Sequence, residues 1–302
     1  MKDQSPKAGL SLHQAAQRFN VPFSREAIPR SQEVVAGDLR LHYLEWGNEN
    51  GQTLVMLHGI AQQAHSWDFT SLALADRYRI IALDARGHGN SQWPTDGDYS
   101  LEAHQKDLDA FSEALGLSDF ILVGHSMGGR NGYVFTHRRP ELVKALVIVD
   151  TGPQGATLGR GRIRRFMTLP DEMDSYEEFA HRVQEYTKRP MWLVHGSLEH
   201  SIRRLPNGKW TWKYDKAIRS PSFNSPSWPE EKLWKCLEGI GCPTLVVRGD
   251  RSDVLSQETY EKMLSLIPKA QGGVVPDAGH LVPGDNARGF IGVLESFLEA
   301  LG

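Results

Sequence analysis

Residues 120–129 read Phe-Ile-Leu-Val-Gly-His-Ser-Met-Gly-Gly, a short apolar run that ends in a serine bracketed by glycines. The pattern G-x-S-x-G around Ser126 is typical of a sharp turn from a strand into a helix, which lifts the serine hydroxyl above the sheet. Glycines suit the flanking positions because side chains there would collide with the neighbouring strand and helix. A helix-like stretch, residues 130–139, follows and is punctuated by Pro140. This context predicts that Ser126 is a nucleophile rather than part of an ordinary Gly-Ser loop.

Two further segments supply what a nucleophilic serine needs. Residues 53–57 predict a buried strand that runs into the loop at residues 58–61, His-Gly-Ile-Ala. Acyl transfer needs two backbone N–H donors for the developing oxyanion. We expect these donors to be Met127, directly after the serine, and Ile60 in the loop. Near the C-terminus His280 follows a short predicted strand, where it can act as the general base.

The order of these motifs resembles the α/β-hydrolase fold family, in its esterase-like branch, from about Val34 to the C-terminus. The resemblance includes residues 84–91, Asp-Ala-Arg-Gly-His-Gly-Asn-Ser, which are similar to the family's D-x-R-G-x-G-x-S turn. In that turn Arg86 is expected to anchor a loop through hydrogen bonds. The family places the nucleophile, the acid and the histidine in this order along the chain.

The acid of the expected triad is open among three aspartates. Asp253 is favoured because residues 248–255 resemble a family variant, R-G-x-x-S-D-x-L. Asp250 follows the glycine at the end of the same strand, where relatives often carry an acid that is not catalytic. Asp150 ends the preceding strand, a position that a minority of relatives use. The prediction is therefore Ser126, Asp253 and His280, with Asp250 and Asp150 as the alternatives.

Two other histidines lie close to these motifs. His58 is expected to shape the oxyanion loop through hydrogen bonding, and His125, inside the turn before the serine, is expected to be a packing residue. No set of histidines and acids has the spacing of a metal site, so neither a metal nor another cofactor is expected. Cys236 and Cys242 are interpreted as two free thiols, because their number and spacing fit neither a disulfide framework nor a metal site.

Apolar β-rich runs alternate with helical stretches along most of the chain. This alternation predicts an α/β fold with a mostly parallel central sheet and helices on both faces. The predicted core comprises residues 31–151 and 240–302 and follows an N-terminal extension at residues 1–30. The alternation breaks at residues 152–239, which are rich in charges and tryptophan and lack a strong strand pattern. We expect this insertion to be a helical cap above the sheet edge at which open α/β sheets bind ligands.

The predicted cap holds two notable groups of side chains. Large aromatic side chains dominate packing energetics, so we expect most of its tryptophans to pack and one or two to line the substrate pocket. The arginines at its start are expected to form a solvated face, with attraction of an anionic substrate as the alternative. The tryptophans are Trp192, Trp210, Trp212, Trp228 and Trp234, and the arginines are Arg160, Arg162, Arg164 and Arg165.

Composition narrows the class of protein. The 302 residues are 40% hydrophobic and 24% charged, as in a soluble globular protein. A net charge of −3 argues against a nucleic acid partner. No apolar run approaches the ~20 residues that cross a bilayer, so no membrane association is expected. The polar start, with no apolar stretch of the signal-peptide type after it, favours a cytoplasmic location.

The predicted function is that of a serine hydrolase that cleaves a carboxylic ester or lactone of a small molecule through an acyl-enzyme intermediate. Relatives that resemble haloalkane dehalogenases and epoxide hydrolases carry an aspartate at the nucleophile position, so a serine there favours acyl chemistry. The first alternative is a C–C bond hydrolase that acts on a diketone-type substrate. The second is a weakly hydrolytic small-molecule receptor, whose cap is a signalling surface.

Overall fold

The computed structural model describes residues 10–219 and 228–302. In these residues the chain forms eleven strands and eleven α-helices, and no helix among them is long and apolar enough to cross a membrane. The strands are β1 (Arg30–Ala36), β2 (Leu39–Gly47), β3 (Gln52–Leu57), β4 (Tyr78–Leu83), β5 (Phe120–His125), β6 (Val143–Val149), β7 (Glu172–Met173), β8 (Ile202–Arg204), β9 (Trp210–Trp212), β10 (Thr244–Gly249) and β11 (Ala270–Val275). The helices are α1 (Leu12–Arg18), α2 (Asp68–Leu74), α3 (Leu101–Ala114), α4 (Met127–Arg138), α5 (Thr157–Met167), α6 (Tyr176–Thr187), α7 (Met191–Ser201), α8 (Glu230–Glu238), α9 (Gln257–Leu266), α10 (Val282–Asp285) and α11 (Ala287–Glu299).

Eight strands form the central sheet, in the order β1-β2-β4-β3-β5-β6-β10-β11. β2 pairs antiparallel with both β1 and β4, and every other pair in the sheet is parallel. The parallel strands therefore all end at the same edge, which gathers the loops that follow β3, β5, β6, β10 and β11. This topology confirms the predicted α/β fold.

Helices cover both faces of the sheet. One buried cluster includes side chains from α3, α4, α8 and α9, and a second includes side chains from α1, α2 and α11. Alternate residues of β5 divide between them, with Phe120 in the first cluster and Ile121 in the second. A strand buried on both sides reads as a continuous apolar run, which explains why residues 120–123 show no polar alternation.

The insertion after β6 builds a cap with its own hydrophobic cluster. This cluster gathers side chains from α5, α6, α7 and β9, among them Phe179, Leu198 and Trp212. The cap also contains a three-stranded antiparallel sheet in the order β7-β9-β8, which corrects the expectation of a purely helical insertion. These strands are two or three residues long, too short for alternating hydrophobicity to show in the sequence.

The last helix of the predicted cap, α8, packs with the core. Leu233, Trp234 and Leu237 lie in the first core cluster, and Trp228 packs against that cluster. Two of the five tryptophans assigned to the cap therefore stabilise the core face instead. Residues 220–227, which connect the cap to this helix, lie outside the described residues.

The N-terminal extension folds onto the core and reaches the cap. Ser11 caps α1, since its side chain accepts a hydrogen bond from the Gln14 N–H. Ala16 of this helix is fully buried in the second core cluster. On the cap side the ring of Phe19 lies 5.2 Å from that of Trp192. The extension thus fills the corner between core and cap.

Candidate active site

Ser126 lies between β5 and α4 in a strained turn. Its backbone has φ 52° and ψ −114°, a conformation that non-glycine residues rarely adopt. The flanking glycines are required by space, because a Cβ at Gly124 would lie 2.4 Å from Gly128 O and one at Gly128 would lie 2.3 Å from Leu57 O. Close packing of β5, α4 and the end of β3 thus fixes the position of the serine hydroxyl.

The structure brings His280 to this hydroxyl. His280 lies in the loop between β11 and α10, and its Nε2 is 3.0 Å from Ser126 Oγ. Its Nδ1 is 2.9 Å from Oδ2 of Asp150. With a proton on Nδ1, the imidazole donates to the aspartate and accepts from the serine. The three side chains therefore form one hydrogen-bonded chain, and His280 and Asp150 within it are buried.

The aspartate that hydrogen-bonds to His280 is Asp150. This corrects the expectation that Asp253 makes this contact. Asp253 is one-third exposed, and its Oδ1 lies 3.1 Å from Nη2 of Arg162 on the cap. The alternative Asp250 accepts a hydrogen bond from the Ala278 N–H at 3.1 Å. Asp150 directly follows β6, the strand next to β5, so its carboxylate lies at the same sheet edge as Ser126.

Three donors surround the Asp150 carboxylate. Besides His280, the Gly249 N–H donates to its Oδ1 at 3.0 Å and the Ser252 hydroxyl donates to its Oδ2 at 2.5 Å. Ser252 in turn accepts from the Val254 and Leu255 N–H groups. The 248–255 segment thus contributes Ser252 to the site rather than Asp253. The buried carboxylate is thus fully hydrogen-bonded, as burial of such a polar group requires.

The loop after β3 provides the opposite wall. His58 donates from Nδ1 to Gly59 O at 2.7 Å and accepts at Nε2 from the Ala85 N–H at 3.0 Å. Burial lowers the pKa of His58, which keeps the ring neutral as this pattern of one donor and one acceptor requires. His58 therefore holds the loop as expected from the sequence, and its carbonyl accepts from the Gly128 N–H at the start of α4.

The two predicted oxyanion donors are available in this arrangement. Within residues 10–219 and 228–302, neither the Ile60 nor the Met127 N–H makes a hydrogen bond. Ile60 lines the same cavity as Ser126, and Met127 is the first residue of α4, whose opening N–H groups lack partners within the helix.

His125 does more than the packing role expected from the sequence. Its Nε2 lies 2.8 Å from the backbone oxygen of His280, and its Nδ1 lies 3.0 Å from Oε1 of Gln62. The same Gln62 oxygen accepts from the Gly59 N–H at 2.9 Å. Burial, reinforced by His280, lowers the pKa of His125 to about 3, so the ring is neutral near pH 7. The neutral ring has one N–H, which donates either to the His280 carbonyl or to Gln62 Oε1, so His125 packs between the histidine loop and the oxyanion loop and hydrogen-bonds to one of them.

The cap contributes an arginine that sequence reasoning missed. Arg189, between α6 and α7, contacts Oδ1 of Asp285 at 2.7 Å and donates to Leu281 O at 3.2 Å. The other oxygen of Asp285 accepts from the Gly279 N–H at 3.0 Å. Cap and core are thus joined at the loop that carries His280.

Ser126 and His280 open into a cavity of about 330 Å³ between core and cap. Residues of α1 and the cap close its far side, and most of the cap side chains in the wall are apolar. Two tryptophans of the cap line it, in agreement with the number expected for the cap, and Trp67 of the core lines it as well. The apolar cap residues in the wall are Ile163, Phe166, Met167, Val183, Trp192, Leu193, Leu198 and Trp212.

The arginines at the start of the cap lie outside the cavity. None of Arg160, Arg162, Arg164 and Arg165 lines this cavity, and all four residues are exposed. The other face of α5, with Ile163 and Phe166, forms the wall instead. This placement agrees with the solvated face expected from the sequence. Arg86 also behaves as expected, since its guanidinium binds both carboxylate oxygens of Asp107.

Comparison with known proteins points to one family. The model of the α/β-hydrolase fold family matches residues 52–287. Esterase Rv0045c of Mycobacterium tuberculosis is 26% identical over 90% of this chain and 90% of its own, and its crystal structure superposes with a TM-score of 0.76, covering 97% of this chain and 99% of that one.

Two further relatives are named for reactions other than ester hydrolysis. N-formylmaleamate deformylase of Pseudomonas putida is 29% identical over 88% of this chain and 95% of its own. The 2-hydroxy-6-oxo-6-(2'-aminophenyl)hexa-2,4-dienoic acid hydrolase of Metapseudomonas resinovorans is 29% identical over 88% of this chain and 90% of its own. The names of these relatives thus describe different reactions.

Proposed function

The chain belongs to the α/β-hydrolase fold family, and we propose that it hydrolyses a carboxylic ester or lactone with an apolar acyl or aryl group, through an acyl-enzyme intermediate on Ser126. The observation that carries this proposal is the hydrogen-bonded chain from Ser126 Oγ through His280 to Asp150. A serine activated by a histidine, which is itself oriented by a carboxylate, is the arrangement that generates an oxygen nucleophile at neutral pH.

In the proposed first half-reaction Ser126 Oγ attacks the ester carbonyl carbon as its proton moves to His280 Nε2. The imidazolium then donates this proton to the leaving alkoxide, which departs as the alcohol (in a lactone it stays attached through the acyl chain). Water repeats the sequence on the acyl-enzyme, which releases the acid and restores the serine. Asp150 keeps the proton of His280 on Nδ1 and stabilises the imidazolium in both halves.

The proposed oxyanion donors are the Ile60 and Met127 N–H groups. Negative charge builds on the carbonyl oxygen as the tetrahedral intermediate forms, and donors already in place stabilise it without reorganisation. Both N–H groups are free of partners in the described part of the chain, which supports this role. The His58 and Gln62 contacts would hold the loop of Ile60 in position.

The substrate class follows from the cavity wall. Its volume of about 330 Å³ suits a small molecule, and its cap side is aromatic and aliphatic. Arg189, the one Arg or Lys among the described lining residues, is already paired with Asp285. Asp68 and Glu199 add acidic groups to the same wall. These features favour an uncharged ester over a substrate that carries a free carboxylate.

The proposal is tested with a panel of nitrophenyl esters and lactones. Wild-type protein should show saturable turnover, and Ser126→Ala should lower kcat by at least ~10⁴-fold, as loss of the nucleophile does in serine hydrolases. The matched control is Ser197→Ala, a serine that lines the same cavity but donates to Val194 O. A fluorophosphonate should label Ser126 alone. Labelling elsewhere, or equal loss in the control, would contradict the proposal.

A C–C bond hydrolase is the second candidate, and the dienoic acid hydrolase relative is the observation that favours it. Cleavage between carbonyl groups would use the same serine, histidine and oxyanion donors. The two candidates differ in the charge that the cavity must accept, because substrates of that relative's class carry a carboxylate. Turnover of a vinylogous diketone acid that exceeds that of every neutral ester in kcat/KM would establish the second candidate. A single acylation burst without turnover would instead indicate a receptor.

A further inference from the structure

A second cluster of reactive side chains lies in the cavity wall, away from Ser126. His65 lies on the 3₁₀ helix Ala64–Trp67 of the core, and Asp68 begins α2 directly after it. His200 lies near the end of α7 in the cap and meets them across the boundary between core and cap. One potential ligand atom from each residue lies within 4.8 Å of the other two. All three residues line the cavity.

The hydrogen bonds of this cluster leave donor atoms free. His65 Nδ1 lies 2.9 Å from Asp68 Oδ2, an interaction that fixes the His65 ring and leaves its Nε2 available. Asp68 Oδ1 is buried and has no hydrogen-bond partner among the described residues. Neither ring nitrogen of His200 makes a hydrogen bond to the described chain. A buried carboxylate oxygen without a donor is costly, so something outside the chain is expected to satisfy it.

Charge and protonation also suit a cation. Burial, and then the neighbouring His65, lower the pKa of His200, which favours the neutral imidazole that binds metals. The His65 and His200 rings stack at 3.5 Å with 14° between their planes. Asp68 supplies the negative charge. Two imidazoles and one carboxylate form a ligand set of the type that binds Zn²⁺ and its neighbours in the first transition series.

We propose that His65, Asp68 and His200 bind a divalent transition metal ion that links the core to the cap in the wall of the cavity. Zinc ligands lie about 2.0–2.2 Å from the metal, so two ligands at a tetrahedral angle are ~3.4 Å apart. The three atoms lie within 4.8 Å of one another, so the cluster must close by up to about 1.4 Å. The rings must also tilt apart, since the lone pairs of parallel rings do not converge. Rotation about the soft χ2 torsion of histidine provides this movement.

Binding would hold α7 against the 3₁₀ helix of the core. Because both elements line the cavity, the ion would restrict movement of the cap and so slow the exchange of bulky substrates. This effect on turnover rests on the proposed hydrolase activity. Metal binding itself does not, and it is measured separately.

The test is a titration of the untagged full chain with Co²⁺, followed by its visible d–d absorption, and then competition with Zn²⁺. We expect one ion for each chain. His200→Gln should weaken Co²⁺ binding by at least ~10-fold, and so should His65→Gln, which keeps the test valid if either variant fails to fold. The matched control is His181→Gln, an exposed histidine on α6 of the cap, which should bind Co²⁺ like the wild type.

Zinc should also raise the Tm of the wild type and of His181→Gln, but not that of the two cluster variants. Equal Co²⁺ affinity in wild type and cluster variants would overturn the proposal, as would the absence of binding by the wild type. In Ser126→Ala, Co²⁺ binding should be unchanged. If the wild type binds cobalt but hydrolyses no ester, the proposed function fails while the metal site stands.

Discussion

The two walls of the cavity are held in place by different means. On the core side, backbone contacts fix the site, because Gly124 and Gly128 leave no room for a Cβ and Ser126 occupies a strained turn. On the cap side, side-chain packing sets the shape, as where Phe166 stacks on Tyr186 and meets the edge of Trp212. Changes at the core should therefore affect chemistry for every substrate, whereas changes at the cap should affect the choice among substrates.

The sharpest test of the core wall compares two aspartates. Asp150→Asn should lower kcat by about 10⁴-fold, because an amide in place of the carboxylate favours the wrong tautomer of His280. Asp253→Asn, the matched control, removes only a partly exposed ion pair with Arg162 and should stay within about fivefold. Steady-state kinetics on one small ester measures both. The reverse ranking would return the catalytic role to Asp253.

A substitution on α5 tests whether the cap side of the cavity sets the choice among substrates. Phe166→Ala removes an aromatic side chain from the cavity and should change the ratio of kcat/KM between a large aryl ester and an acetate ester by about 1–3 kcal/mol. Turnover of the acetate should change little. Leu158→Ala on the same helix is the control, since that side chain is 84% exposed. Uniform loss on both esters would show that Phe166 supports the fold rather than specificity.

Acid should destabilise the core through its buried histidines. Burial lowers the pKa of His104 to about 3, whereas an unfolded histidine titrates near 6.5. As the pH falls from 6.5 towards 3, the unfolded chain binds a proton that the folded chain excludes, so the free energy of unfolding decreases. From pH 7 to pH 5 this histidine alone should account for about 2 kcal/mol.

Urea denaturation at these two pH values measures the effect. His104→Leu should shrink the loss between pH 7 and pH 5 by about 2 kcal/mol. In the cap the exposed His181→Leu should leave the pH dependence as in the wild type. Equal pH dependence in the wild type and both variants would place the acid-sensitive groups elsewhere.

The smallest expected effect tests the proposal that Met127 acts as an oxyanion donor through its backbone N–H and not through its side chain. Met127→Leu keeps the N–H and nearly the same volume, so turnover should remain within about tenfold, whereas loss of an oxyanion donor costs ~100-fold or more. Gln62→Ala is a useful companion, since it removes the acceptor that fixes Gly59. If Met127→Leu were the more damaging change, the Met127 side chain would have a role that the structure does not indicate.

The parts of the site that could be predicted are those fixed by the local chain. Ser126 could be predicted as the candidate nucleophile because the turn demands glycines at set spacing, and His280 as its partner because it follows a late strand; the structure places the two within hydrogen-bond distance. The fold was predicted because strands buried on both faces read as continuous apolar runs. Each of these signals is contained within about ten residues.

The parts that were missed depend on contacts between distant segments. Asp150 and Asp253 both follow strands at the active edge, and only the path of the chain after β10 decides that Ser252, rather than Asp253, reaches the site. The role of His125 depends on the His280 carbonyl, 155 residues further along the chain. The cap sheet was missed because its strands, two or three residues long, are too short to show the alternating hydrophobicity of a strand. Neither the spacing of residues nor the composition of a segment predicts contacts between segments that are far apart along the chain.

The contact between Arg189 and Asp285 limits which caps from other family members can be joined to this core. Asp285 holds the Gly279 N–H beside His280, and the cation that balances it comes from the inserted segment. A chimaera that takes its cap from another family member must therefore supply an arginine that contacts Asp285, as Arg189 does. Without one, the graft leaves an unbalanced carboxylate beside the loop that carries His280. The cap is thus part of the framework that positions His280, and we expect its exchange to change turnover as well as selectivity.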